Sequence, residues 1–167
     1  CYTIRDFIKN EEDLDKSMEK LKNIGYQTVQ ISGIGPIEPE TVKNLCDKHG
    51  LEVICTHKGQ DDYLNRLEET IRYHKIIGCK IAGIGSIGNY DKSADGYRKF
   101  VRDFTPVSQR LREEGITFAY HNHAFDFIKE NGEYLLDIIL NESDFDLILD
   151  VYWVAFSGID PAKLIRK

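Results

Sequence analysis

The chain has no run approaching the roughly 20 apolar residues that a membrane-spanning helix needs. It has no basic block either. Its 22 Lys and Arg face 28 Asp and Glu, a formal net charge of −6. An acidic chain without a basic stripe is a poor partner for a phosphate backbone, so nucleic-acid binding is not expected, and neither is a membrane role. Low-complexity tracts are absent, and 41% apolar with 30% charged residues is the composition of an ordinary globular protein. At 167 residues it suits one domain, 1–167, with a sizeable core. There is no Cys-x-x-Cys pair. Cys1, Cys46, Cys55 and Cys79 are scattered, and Cys55 and Cys79 fall in apolar, strand-like runs. Reduced, buried thiols are expected. With no signal-peptide pattern at the start, a cytoplasmic location is expected too. Asn141-Glu142-Ser143 matches a glycosylation sequon, but nothing else points to secretion.

What the chain does have is a repeated grammar. "KNIGYQTVQIS", "DKHGLEVICTH", "KIIGCKIAGIG" and "REEGITFAYHN" each run from a polar amphipathic stretch through Gly into a short β-rich segment. Gly25, Gly50, Gly78 and Gly115 occupy the position of a left-handed helix cap. Helix, glycine, buried strand, repeated, is the pattern of parallel βα units. Helices are expected over 11–24 (Leu14, Met18 and Leu21 on one face) and 61–77 (Leu64, Leu67, Ile71, His74). Others are expected over 94–114, with Pro106 as a kink or break, and over 132–140. Asp160-Pro161 reads as a cap followed by proline in the first turn. Six strands follow, near 1–4, 27–32, 52–57, 79–85, 116–121 and 147–152. Two architectures fit them, a doubly wound sheet or a (β/α)8 barrel. In both, function sits at the carboxyl ends of the strands.

Polar side chains collect at those ends: Tyr2 and Arg5, Gln30, then His57 and Lys58, then His121, Asn122 and His123, and finally Asp150, Tyr152 and Trp153. Alternation places His121 and His123 on one side of strand five with Thr117 and Ala119, and turns Phe118 and Tyr120 toward the helices. Three histidines and Asp150 could then converge on one mouth, and such nitrogen and carboxylate donors suit Mn, Fe, Co, Ni or Zn better than Ca. His49 and His74, on helices, read as surface or packing residues. "GIGSIG", Gly83 to Gly88, matches a dinucleotide fingerprint. It sits in the fourth unit, runs into a loop, and lacks the following acidic strand end. Its glycines read instead as allowing a close backbone approach.

At "YTIR", "GYQTVQISG", "GLEVICTH", "GITFAYHNHAFDF" and "LDVYWVAFSGIDPAKLIRK" the chain resembles the sugar phosphate isomerase/epimerase family of the xylose isomerase-like TIM barrel superfamily. The resemblance implies an α/β fold, a (β/α)8 TIM barrel, here about six βα units of an incomplete barrel. Such a barrel takes roughly 250 residues, so a longer parent chain is expected. It also implies one divalent metal at the mouth, Mn first, with Mg, Co or Zn as alternatives. The family's usual ligands are Glu, Asp, His and Glu, from the ends of strands 5 to 8. Asp150 matches the strand-6 Asp, and His121 stands where many members carry the strand-5 Glu. Gln30 replaces a Glu often seen on strand 2, and the last two ligands have no counterpart in the sequence.

The implied chemistry is isomerisation or epimerisation of a small-molecule sugar or keto-sugar, by proton abstraction beside a carbonyl with a metal-stabilised enediolate. His121 and Asp150 would hold the metal, and His123 would be the catalytic base or a further ligand. Tyr2, Arg5, Gln30, His57, Lys58 and Trp153 would contact substrate. Competing readings are a metal-dependent lyase or hydrolase of keto-glycosides, an endonuclease IV-like repair enzyme and a non-catalytic sugar-binding barrel. Homo-oligomerisation is left open.

Overall fold

A computed structural model describes residues 1–166. The chain packs as two compact units, residues 1–82 with 114–116, and residues 83–113 with 117–167.

The first unit opens with a 3-10 helix, Tyr2–Phe7, followed by α1 (Glu11–Ile24). Asn10 caps α1 by accepting the Asp13 N–H at 2.9 Å, and the acidic first turn complements the helix dipole. Gly25, at φ +113°, ends it with a conformation that any Cβ would resist. Then come β1 (Thr28–Ile31), α2 (Pro39–Lys48), β2 (Glu52–Lys58), α3 (Gln60–Leu64), α4 (Leu67–Ile77) and β3 (Ile81–Ile84). β1 and β2 are parallel, with a one-residue irregularity between Val29 and Gln30. β2 is hydrogen-bonded in turn to β3, whose last two residues belong to the second unit. Gly50, Gly78 and Gly115 also have positive φ, as the helix–Gly–strand grammar predicts. Leu14 and Met18 of α1, Val42 and Cys46 of α2, and Val29 and Ile31 of β1 meet in one apolar cluster.

In the second unit β3 neighbours β4 (Thr117–His121), and β4 pairs in parallel with β7 (Asp146–Ile148). A hairpin of β5 (Lys129–Glu130) and β6 (Glu133–Tyr134) precedes α6 (Leu135–Glu142). α5 (Ala94–Glu113) lays Tyr97, Phe100, Phe104 and Leu111 into the core. Phe104 stacks on Phe118 at 5.4 Å, and Phe100 meets Tyr120 at 5.5 Å, so Phe118 and Tyr120 face the helix as alternation requires. Short helices α7 (Val151–Phe156) and α8 (Pro161–Ile165) close the unit, with Asp160 accepting the Ala162 N–H at 2.9 Å as its cap.

Four local expectations are corrected. Residues 1–4 are not a strand. The backbone closes into turns, with Ile4 N–H on the Cys1 carbonyl at 2.9 Å, and β propensity yields to that local closure. The helix expected over 61–77 is two helices, because Arg66 turns back to Asp61 and Asp62, each at 2.9 Å. Pro106 does not break α5; the buried stripe continues on both sides of it and outweighs the one lost hydrogen bond. The last strand stops at Ile148, and residues 151–156 are helical because Asp150 caps them. Five of the six expected strands therefore form, in an α/β arrangement of parallel strands and helices. All four cysteines are free, and burial pushes the Cys55 thiol up to about 12. Among the described residues no helix is long and apolar enough to cross a membrane.

His74 is a packing residue, fully buried, between the Thr56 hydroxyl and the Thr70 carbonyl, each at 2.7 Å. Burial holds its pKa down at about 4. The folded protein keeps this ring neutral, so as pH falls below about 6.5 the unfolded chain takes up the proton first. Stability from this group is complete above pH 6.5 and drains away down to about 4, on the order of 3 kcal/mol in all. Urea denaturation across that range should show a steeper loss for the natural chain than for His74→Gln, which is weaker but flatter.

Candidate active site

The register of the second unit builds the site. His121, the last residue of β4, pairs with Ile148 of β7. Two residues on, Asp150 turns its carboxylate back, and Oδ2 lies 3.2 Å from His121 Nε2. Oδ1 accepts the Tyr152 N–H at 2.9 Å, which fixes the carboxylate from the helix side.

The other ring nitrogen of His121 decides what this contact can be. Nδ1 lies 3.0 Å from the Gly85 carbonyl, which only accepts, so Nδ1 carries the hydrogen. In the neutral ring Nε2 then presents a lone pair to a carboxylate oxygen. Two lone pairs at that distance need a positive charge between them, a second proton or a cation. Donor atoms about 2.1 Å from one metal ion and roughly at right angles lie about 3 Å apart, so the pair fits one edge of a coordination shell. Among the described residues no group of three or more His, Cys, Asp or Glu is arranged to hold a metal. His121 and Asp150 offer two donor atoms side by side, and His123 does not join them as a third.

His123 occupies a different setting. It sits just past β4, and its ring lies edge-on to His121 at 4.7 Å, stacks on Phe125 at 5.3 Å and tilts over Trp153 at 5.2 Å. Its Nδ1 is buried with no hydrogen-bond partner among the described residues. Burial is the main reason its pKa is lowered; His121 and Lys92 push the same way, and Asp150 opposes them. The ring therefore stays neutral at neutral pH. Tyr152 and Phe156, 61% and 66% exposed, continue the aromatic surface beside Trp153.

Two residues to which the sequence alone assigned no role hold this arrangement. Asn122 is fully buried; its side chain accepts the Asp150 N–H at 2.7 Å and donates to the Asp150 carbonyl at 3.2 Å. Asp126 is also fully buried and accepts from the Tyr97 and Tyr120 hydroxyls and from the His123 N–H. Burial raises its pKa against the pull of those hydrogen bonds. Signals for both were present: a polar residue on the helix-facing side of an apolar strand, and an Asp three residues after His123, the spacing of a helix-start cap. The glycine motif has its role here too. The Gly85 carbonyl supplies the partner of His121 Nδ1 at 3.0 Å.

The remaining candidates belong to the first unit. Arg5 folds onto Tyr2, its guanidinium 4.4 Å from the ring and hydrogen-bonded to the Tyr2 carbonyl at 3.0 Å. The Gln30 amide faces the Cys55 sulfur at 4.0 Å. His57 and Lys58 line a cavity with the loop that follows β1. His49 is partly buried against Asp15.

Asn122→Ala should cost about 2 kcal/mol in chemical denaturation, because it leaves the Asp150 N–H without its acceptor. The same change should remove the His121–Asp150 contact, read as a shift of the His121 ring resonances.

The profile of the xylose isomerase-like TIM barrel family matches residues 18–165. No curated protein matches the chain. Among solved structures, a sugar phosphate isomerase/epimerase from Parabacteroides distasonis is 20% identical with a TM-score of 0.77; the match covers 93% of this chain and 65% of that one. An L-ribulose 3-epimerase is 14% identical with a TM-score of 0.71, over 96% of this chain and 63% of that one. A family 2 AP endonuclease from Brucella melitensis is 15% identical with a TM-score of 0.68, over 96% and 71%. The chain thus spans 65% of the length of the first of these and 63% of the epimerase. At such identities the likeness is one of fold. The profile match, covering nearly the whole sequence, places the chain in the xylose isomerase-like TIM barrel family.

Proposed function

We propose that the protein is a sugar isomerase or epimerase that uses a divalent metal ion, Mn first, held in part by His121 and Asp150. The observation that carries this reading is the His121 contact set: Nδ1 is committed to the Gly85 carbonyl, and Nε2 faces Asp150 at 3.2 Å. A bound divalent ion supplies Lewis acidity to the oxygens of a hydroxy-carbonyl substrate. The names of the Parabacteroides isomerase/epimerase and the L-ribulose 3-epimerase agree with a sugar as substrate.

The chain's own residues supply the rest. Asn122 and the Tyr152 N–H fix Asp150, and Gly85 fixes the ring of His121. His123, neutral in its aromatic enclosure, takes the proton from the carbon beside the carbonyl and returns it to the former carbonyl carbon, while the hydroxyl proton passes to the former carbonyl oxygen. One base on one face of the substrate favours transfer between adjacent carbons, which is aldose–ketose isomerisation, over inversion at a single carbon. Trp153 offers an aromatic face to the sugar's C–H groups and keeps water from the ring of His123. A repair enzyme on DNA, like the Brucella relative, suits a chain of charge −6 poorly.

Metal content by mass spectrometry and deuterium uptake from solvent into a panel of aldoses and ketoses test the proposal. The natural protein should carry about one divalent ion and exchange a carbon-bound proton. His121→Ala and Asp150→Ala should each weaken metal binding at least about tenfold. His123→Asn should keep the metal and lose about 10²-fold or more in exchange rate. A metal-free protein that exchanges nothing across the panel would sink the reading.

A further inference from the structure

The end of β2 holds a cation that Asp62 attracts through space but that no acceptor of the described residues binds directly. Lys58 is half-buried, with its ammonium 3.6 Å from the centre of the Tyr73 ring. It makes no hydrogen bond and no ion pair among the described residues. The nearby acids are engaged elsewhere. Asp61 and Asp62 both bind Arg66, and Asp62 also accepts the Gly59 N–H at 2.9 Å. An aromatic face attracts a cation but gives its three N–H donors no acceptor. Burial accordingly lowers the lysine's pKa.

Beside Lys58 is a cavity of about 230 Å³, lined by Ser32, Gly33, Gly35, His57 and Tyr73 among others. Ser32 is buried, and its hydroxyl has no hydrogen bond among the described residues. The loop that carries it is fixed in place. Gly35 donates its N–H to the Ile8 carbonyl at 2.9 Å, and a Cβ on Gly35 would lie 1.9 Å from the Lys9 carbonyl oxygen. The space is several times a water molecule's share of the liquid, about 30 Å³, so it admits a group of several heavy atoms.

We propose that this cavity binds a small oxyanion group, a phosphate monoester or a carboxylate, with Lys58 as its counter-charge and Ser32 as a hydroxyl donor. A neutral hydroxyl would leave the buried charge unbalanced, and a second cation would be repelled. An oxyanion supplies several acceptors and the opposite charge at once. The site lies within the first unit and does not depend on the isomerase reading, so either can fail while the other stands.

The test uses the whole chain and probes that contain no sugar. Methyl phosphate and acetate are each titrated at constant ionic strength, with chloride as the reference, and followed by amide chemical shifts. One or both should move the Ser32–Ile37 and His57 amides in a saturable way, and the one that does names the source of the anion. Lys58→Gln should weaken that binding about tenfold or more, while Lys16→Gln, on the exposed face of α1, should leave it unchanged. Neither probe shifting those amides in the natural protein would overturn the proposal, and this outcome is readable even where Lys58→Gln does not fold. Equal affinity in folded Lys58→Gln would overturn it too.

Discussion

Asn122 takes up the ladder between β4 and β7 at the point where both strands stop. Its amide accepts from the Asp150 N–H and donates to the Asp150 carbonyl, as a paired strand residue would. A side chain thereby extends a backbone pairing beyond its last hydrogen-bonded residues, His121 and Ile148. The gain is positional. Asp150 can leave the strand conformation and cap α7 while its carboxylate is still held against His121. Were Asp150 tied only by its exposed cap bond, its rotamers would be free and the 3.2 Å contact with His121 would be one arrangement among several. In the His-Asn-His triplet, the outer residues share one side and the middle one faces the framework, and both follow from the two-residue period of a strand.

The same division of labour explains the glycine-rich segment after β3. The Gly85 carbonyl lies 3.0 Å from Nδ1 of His121, an ordinary hydrogen-bond distance. Because a carbonyl cannot donate, the contact sets the tautomer as well as the angle of the ring. What looks in sequence like a phosphate cradle is, in the folded unit, a carbonyl that turns Nε2 of His121 toward Asp150.

Much of this was legible in advance. Polar stretch, glycine and β-rich run pointed to β1 to β4 and the helices that precede them, because backbone handedness and burial are local and periodic, but not to the β5–β6 hairpin, which takes residues 133 and 134 from the helix expected over 132–140. The pairing of His121 with Asp150 was legible as a convergence of strand ends. What the sequence hid were closures made by single side chains. Tyr2 to Phe7 has strand-forming residues, yet a turn forms. Arg66 breaks one amphipathic helix into two by reaching back to two aspartates. Asp150 ends a strand and starts a helix with the same carboxylate that faces His121. Periodicity carries no trace of such events, since each depends on one rotamer and one hydrogen bond. His123 shows the opposite lesson: the alternation that placed it beside His121 is correct, but ring stacking with Phe125 and Trp153 gives it different surroundings and so a different capacity.

Two carboxylates lie close in sequence to this motif's structure, and their surroundings separate their uses. Asp126 has both oxygens supplied with donors, two tyrosine hydroxyls on one and a backbone N–H on the other. Three of its roughly four acceptor sites are filled, and in a buried setting each bond lost would be costly. It is a brace for the turn that carries His123. Asp150 has one oxygen supplied and the other turned toward an imidazole lone pair, an arrangement that is favourable only with added positive charge. A carboxylate well supplied with donors stabilises structure, and one left a donor short keeps an oxygen open to a further partner. The same residue type, within one unit, is braced by three donors at one position and keeps an oxygen turned to an imidazole at the other.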